Sequence, residues 1–184
     1  GNTYALFSIA EIQREGGQSR ERADTLHRII DVGAATLEDA DLITVYMQLG
    51  HVYANELQQP ADAADAYRNV LNVDPAFFEA LDSLELIFRE EEDWEQVIDV
   101  MEQRALALFE KGRWAEAAKI LHALLDEQPL RDAVVEDIES RLLRIAVELD
   151  DAKEIVRARE ALVRRNAGRI PSDWRTQRAI AFAY

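Results

Sequence analysis

Carboxylates are the side chains of this chain best placed to do chemistry. Asp and Glu together number 36, and eighteen of them lie between residues 31 and 103, where Arg68 and Arg89 are the only Lys or Arg residues. Two carboxylates flanking a glycosidic bond would make a glycosidase, but acid pairs abound here because acids abound, and nothing singles out one pair. The run Glu90-Glu91-Glu92-Asp93 lacks the alternating ligands and the glycine of a calcium loop and reads as a solvated helix end. His27, His51 and His122 stand apart in the chain, without His-x-x-x-His or His-Glu-x-x-His, so no zinc site is expected. Gly16-Gly17 is followed by neither Lys-Ser nor Lys-Thr and is not a phosphate loop. Ser8, Ser19, Ser83, Ser140 and Ser172 have no nucleophile-elbow setting. With no cysteine, thiolate catalysis, thiolate metal sites and disulfides are excluded, while the redox compartment stays open. The expectation is no catalytic residue, no metal and no cofactor.

Charge says more about partners than about reactions. The net charge is −15. Residues 31–103 carry −16, whereas Lys153 to Arg178 carry eight cations against three acids, or +5. An acidic middle repels nucleic-acid phosphates and attracts a Lys- or Arg-bearing protein segment, or the basic end of another copy. Arg157, Arg159, Arg164, Arg165 and Arg169 form one basic cluster without interleaved aromatics, which reads as a salt-bridged helical face rather than a nucleic-acid site. No apolar run approaches the roughly 20 residues that cross a bilayer, so no membrane insertion is expected. The opening Gly1-Asn2-Thr3-Tyr4 has neither an initiator Met nor a basic-then-apolar leader, which suggests an excised or processed chain.

The elements that must carry these residues are helices. Seven Gly and four Pro are too few for the turns of an all-β fold, and 48% apolar residues suffice for a core. Helical periodicity runs almost throughout and predicts an all-α chain of about ten helices. The first spans 3–15 and ends at Gly16-Gly17. A second is capped by Ser19 and terminated by Gly33. Thr36-Leu37-Glu38-Asp39 has the form of a capping box and predicts a helix from Thr36 to about Leu57. Pro60 opens the next, to Val73, and Asp74-Pro75 breaks the chain before helices at 76–91, 94–110 and 113–127. Val134, Ile138, Leu142, Ile145 and Leu149 form one stripe on a long helix. A helix at 152–166 follows, and a last one begins at Asp173-Trp174. Trp94, Trp114 and Trp174 each open a helix after a polar turn, where an indole packs over the joint. No linker divides the chain, so residues 1–184 are expected to form a single domain.

One spacing is more specific than the rest. Tyr46-x-x-Leu49-Gly50-x-x-Tyr53 is followed by Ala63-x-x-x-Tyr67 and Pro75, which resembles the tetratricopeptide repeat. Gly50 and Ala63 are small where two helices cross closely, Tyr53 and Tyr67 fill the space beside them, and Pro75 closes the unit. One extra residue stands in the turn at 55–61. A weaker copy carries Leu81, Leu84, Phe88, Trp94, Val97 and Met101, offset from the first by 34 or 35 residues. A partial third, Gly112-x-Trp114-x-x-Ala117-x-x-x-Leu121, comes 20 residues after Val97, so a helix is missing or 94–110 plays both parts. The clear repeats cover 38–130, and the flanks 3–33 and 131–184 are degenerate.

The resemblance implies a right-handed helical-hairpin solenoid whose first helices line an inner groove that receives a protein or peptide. On the first of these helices the groove candidates are Thr44, Met47, His51 and Asn55. On the second they are Glu79, Asp82, Leu86 and Arg89. Some members of the family clamp a terminal carboxylate with Lys, Arg and Asn, a set this chain lacks. The reading is a non-catalytic interaction scaffold. The alternative is a structural module that self-associates or stacks with further repeats.

Overall fold

The structure is a computed structural model that describes residues 2–33, 36–127 and 132–165. It is all-α: α1 (Asn2–Glu15), α2 (Ser19–Gly33), α3 (Asp39–His51, prolonged by a π turn over Val52–Glu56), α4 (Pro60–Val73), α5 (Phe78–Glu90), α6 (Trp94–Glu110), α7 (Trp114–Glu127), α8 (Asp132–Glu148) and α9 (Ala152–Arg165). The helix expected from Asp173 lies outside the described residues. The chain packs as two compact units, residues 1–100 and 101–184, with the boundary inside α6.

In the first unit the hairpin α1/α2 stacks on the hairpin α3/α4, and α4 packs on α5. Their shared core is the apolar stripe of each helix: Leu6 and Ala10 from α1, Ala23, Leu26 and Ile29 from α2, and Val45, Leu49 and Val52 from α3 and its extension. These recur three or four residues apart, so each set falls on one face and is withdrawn from water together. A fully buried Leu or Ile contributes about 1.5–3 kcal/mol.

Gly50 shows why α3 and α4 approach so closely. A Cβ on Gly50 would stand 2.6 Å from Cε1 and 2.7 Å from Cζ of Tyr67. The Tyr67 ring lies flat over the bare backbone, and Ala63 one turn earlier on α4 is completely buried. The extra residue noted at 55–61 is absorbed by the π turn, in which Leu57 N–H donates to Val52 O at 2.9 Å and Gln59 N–H to Tyr53 O at 2.8 Å. Gln58 takes a left-handed φ of 54° to leave the helix.

The capping box does not form. Helix α3 begins at Asp39 with Glu38 as a cap that makes no side-chain hydrogen bond. Thr36 instead serves the end of α2: its N–H and that of Leu37 both donate to Gly33 O at 2.8 Å, and its hydroxyl donates there at 3.4 Å. The local competitor wins because an unpaired helix-terminal carbonyl lies within three residues of the hydroxyl. Helix α5 starts two residues later than expected, since Asp74 Oδ1 accepts Ala76 N–H at 2.9 Å and holds a turn there.

Four helices end in one motif, with a left-handed residue followed by an N–H that reaches back five positions. Gln18 donates to Gln13 O, Asp93 to Phe88 O, Arg113 to Leu108 O and Asp151 to Ala146 O, each at 2.9 Å. The left-handed residue is Gly17 or Gly112 in two cases but Glu92 or Asp150 in the others.

In the second unit, Leu121 and Leu124 of α7, Ile138, Leu142 and Ile145 of α8 and Ala158 of α9 are buried. Leu149, the last member of the expected stripe, lies past the end of α8 and is exposed. Trp114 opens α7 and meets the Phe109 ring edge-on at 4.7 Å, while the Arg144 guanidinium stands 4.6 Å from the centre of that ring. His122 Nε2 lies 3.1 Å from Glu154 Oε1, tying α7 to α9. Trp94 opens α6 but remains exposed, and Trp174 lies outside the described residues.

The crossing yields a test whose sign depends on the partner ring. Gly50→Ala should lower stability by about 1–2 kcal/mol, because overpacking against a buried ring outweighs the roughly 1 kcal/mol that alanine gains in a helix. In a Tyr67→Leu background the same change should become neutral or stabilising, as read from urea unfolding midpoints. Equal losses in both backgrounds would show that the ring is not what excludes the methyl.

Candidate functional site

A cavity of about 480 Å³ opens between α3 with its π turn and α5, all within the first unit. Met47, Gln48, His51, Ala54, Asn55 and Gln58 line one wall, and Glu79, Ser83, Leu86, Ile87 and Glu90 the other. Tyr67, Pro60 and Arg22 complete it. Side chains on both helices face it because 3.6 residues per turn brings every third or fourth residue to one side.

Of the residues expected in a groove, Met47, His51, Asn55, Glu79 and Leu86 line this cavity, whereas Thr44, Asp82 and Arg89 do not. Thr44 is exposed one turn earlier on α3, where its hydroxyl donates to Ala40 O at 2.8 Å. Arg89 turns to Glu85, with Nε 3.0 Å from Oε1. Asp82 is exposed beside the wall. Ser83 and Glu90, not singled out from the sequence, sit four and eleven residues after Glu79. Eleven residues make just over three whole turns, so that helical phase was the available signal. Arg22 and Tyr67 enter from other helices, and no local spacing marks them.

The polar groups here are mostly held. Asn55 Nδ2 lies 3.0 Å from His51 Nδ1. An amide nitrogen can only donate, so Nδ1 accepts and the proton of neutral His51 resides on Nε2. Gln58 Nε2 donates to Ala54 O at 3.3 Å and Asn55 O at 3.0 Å, closing the end of the π turn. Ser83 Oγ donates to Glu79 O at 2.9 Å. Burial pushes the Tyr67 phenol above its ordinary pKa; the nearby Ser83 hydroxyl pulls it down and the Glu79 carboxylate adds to the rise. Tyr67 therefore stays a neutral hydroxyl under ordinary conditions.

Both cations of the acidic stretch are occupied locally: Arg68 Nη1 bonds Asp65 Oδ1 at 3.0 Å, and Arg89 bonds Glu85. Glu79 and Glu90 have no cationic partner among the described residues, so the rim of the cavity is negative. Arg22 is the opposite case. It is 5% exposed, its Nη1 lies 3.1 Å from Glu56 Oε1, and its Nε is buried without an acceptor among the described residues. Among the described residues, no three His, Asp or Glu side chains converge as a metal site, and no helix is long and apolar enough to cross a membrane.

Comparison with protein families gives two matches to tetratricopeptide repeat models, one over residues 80–108 and one over 99–130. Residues 80–130 match the tetratricopeptide repeat family. The matches overlap on 99–108, inside α6, so α6 ends one tetratricopeptide unit and begins the next, which accounts for the 20-residue interval between Val97 and Ala117. Tetratricopeptide repeats are generally protein-interaction modules and typically non-catalytic. Among solved structures, the chain is similar to MamA protein at 12% identity, covering 90% of this chain and 92% of that one, with a TM-score of 0.47. It is similar to a tetratricopeptide repeat protein from Parabacteroides merdae at 13% identity, covering 99% and 84%, with a TM-score of 0.46. It is also similar to Pseudomonas aeruginosa pilF at 13% identity, covering 98% and 97%, with a TM-score of 0.39. No curated protein matches it.

Arg22 and Glu56 join α2 to the π turn that prolongs α3. Glu56→Ala leaves a buried guanidinium without its carboxylate and should cost about 1.5–3 kcal/mol of unfolding free energy. Arg22→Met removes the charge while keeping the stem and should cost less, and adding it to Glu56→Ala should recover most of the loss. Additive losses in that cycle would show the pair to be screened by water.

Proposed function

We propose that this chain is a non-catalytic docking module that holds a segment of another protein in the cavity between α3 and α5. The observation that carries this reading is the cavity itself: an open space of about 480 Å³ flanked by the first helices of two successive hairpins, with Met47, Leu86 and Ile87 as apolar surface and carboxamides and carboxylates around them. The side chains there that resemble a nucleophile or a base are already engaged, Ser83 with Glu79 O and His51 with Asn55. The charge of the rim favours a Lys- or Arg-bearing partner over an acidic one or a nucleic acid.

A second reading, association between copies or with further repeats, draws on a different surface. Tyr4 and Ile12, two turns apart on α1, are 84% and 66% exposed, and Ile9 lies exposed between them. Exposed apolar side chains of this kind are candidate points of contact, and the opposed charges of residues 31–103 and 153–178 add a long-range attraction.

Site-specific photo-crosslinking in the native host distinguishes the places of contact. A photoreactive residue at Leu86 should give a protein adduct that the same residue at Asn72, on the exposed side of α4, does not. Adducts from Asn72 and none from Leu86 would move the binding surface elsewhere. For the second reading, light scattering should report a mass above the monomer that falls as salt is raised from about 0.05 M to 0.5 M, where screening shortens the reach of charge to a few ångströms. A monomer at both salts removes that reading.

A further inference from the structure

We infer that the occupant of the cavity is an extended segment carrying two Lys or Arg side chains about five residues apart, with an apolar side chain between them and nearer one end. This rests on the cavity as the binding site and specifies what fits it. Along α5 the lining residues Glu79, Ser83, Leu86 and Glu90 fall on one stripe, because separations of four, seven and eleven residues return to within about 40° of the starting direction at 100° per residue. The helix rise of 1.5 Å per residue puts Glu79 and Glu90 about 16 Å apart, with Leu86 about 10 Å from the first and 6 Å from the second. The wall thus offers charge, then apolar surface, then charge. Neither carboxylate has a cation of its own among the described residues, and the two arginines of the acidic stretch are paired with Asp65 and Glu85.

An extended backbone advances about 3.3 Å per residue and covers the distance between the carboxylates in about five residues. The opposite wall suits such a backbone. Asn55 and Gln58 spend their amide nitrogens on His51 and on the π-turn carbonyls, which leaves Oδ1 and Oε1 as acceptors. An extended chain brings unpaired N–H groups to meet them, whereas a helix has used its own.

The test uses the full chain and fluorescent synthetic peptides of fourteen residues in a Gly-Ser background, each with one Leu and with two Lys separated by two, five or eleven positions. Fluorescence anisotropy at about 0.05 M salt should give the tightest binding at a separation of five. Glu79→Gln and Glu90→Gln should each weaken that peptide about two- to fivefold, the range of a partly exposed ion pair, and should not change binding of the counterpart peptide in which the matching Lys is Gln. Circular dichroism checks that both variants stay folded. Equal affinity at all three separations, a preference for eleven, losses of the same size against Lys and Gln peptides, or no binding of any peptide overturns the inference. Adducts from Leu86 in the crosslinking experiment would persist in that event and keep the cavity as a binding site, so the two ideas fail separately.

Discussion

The contact between the bare backbone of Gly50 and the ring of Tyr67 sets the distance from which the rest of the first unit is built. With a Cβ excluded, α3 can lie against α4 closely enough for Ala63 to be buried and for Tyr67 to reach through to the floor of the cavity. The same ring is thus a packing element on one side and a lining residue on the other. Its hydroxyl is held neutral by burial, and the ring shares the cavity lining with Ser83 of α5, the helix that follows the hairpin. Packing and candidate site cannot be separated here, because one side chain serves both.

Charge is organised on a second level. Pairs such as Arg68 with Asp65, Arg113 with Glu116 and Arg14 with Glu11 lie within one helix turn on exposed surface and add little to stability. They do consume cations. In the acidic stretch this leaves carboxylates at the cavity rim without local compensation, so the field there is set by what the rest of the surface has already neutralised. Arg22 with Glu56 differs in kind: the pair joins elements 34 residues apart, and the cation is buried.

Much of the fold was legible because its signals are local. The spacing of Tyr46, Gly50, Ala63 and Tyr67 marks a close crossing, and Pro60 and the glycines at 17 and 112 mark helix ends through their own backbone preferences. The reading failed where two local signals competed or where no residue type announces the geometry. Thr36 had a capping-box sequence but lay within reach of the carbonyl of Gly33. Glu92 and Asp150 adopt a conformation that favours glycine, and nothing in their identity says so. Around the cavity, helical phase foretold Met47, His51, Asn55, Glu79 and Leu86 as neighbours. Asp82 and Arg89 lie off the stripe through Glu79 and Leu86 by roughly a sixth to a fifth of a turn. The burial of Arg22 depended on a partner in another hairpin, which sequence periodicity does not register.

The π turn at Val52–Glu56 makes the repeat forgiving of insertions. A residue added to a helix would ordinarily rotate everything downstream by about 100°, and here that would swing Tyr67 away from Gly50. The wider turn takes up the surplus within five residues and returns the chain to Pro60 in phase. Length can therefore drift in the first helix of a unit while the geometry of its partner helix is conserved, and the surplus residue emerges on the wall of the cavity, where a bulge changes what is displayed without changing what is packed.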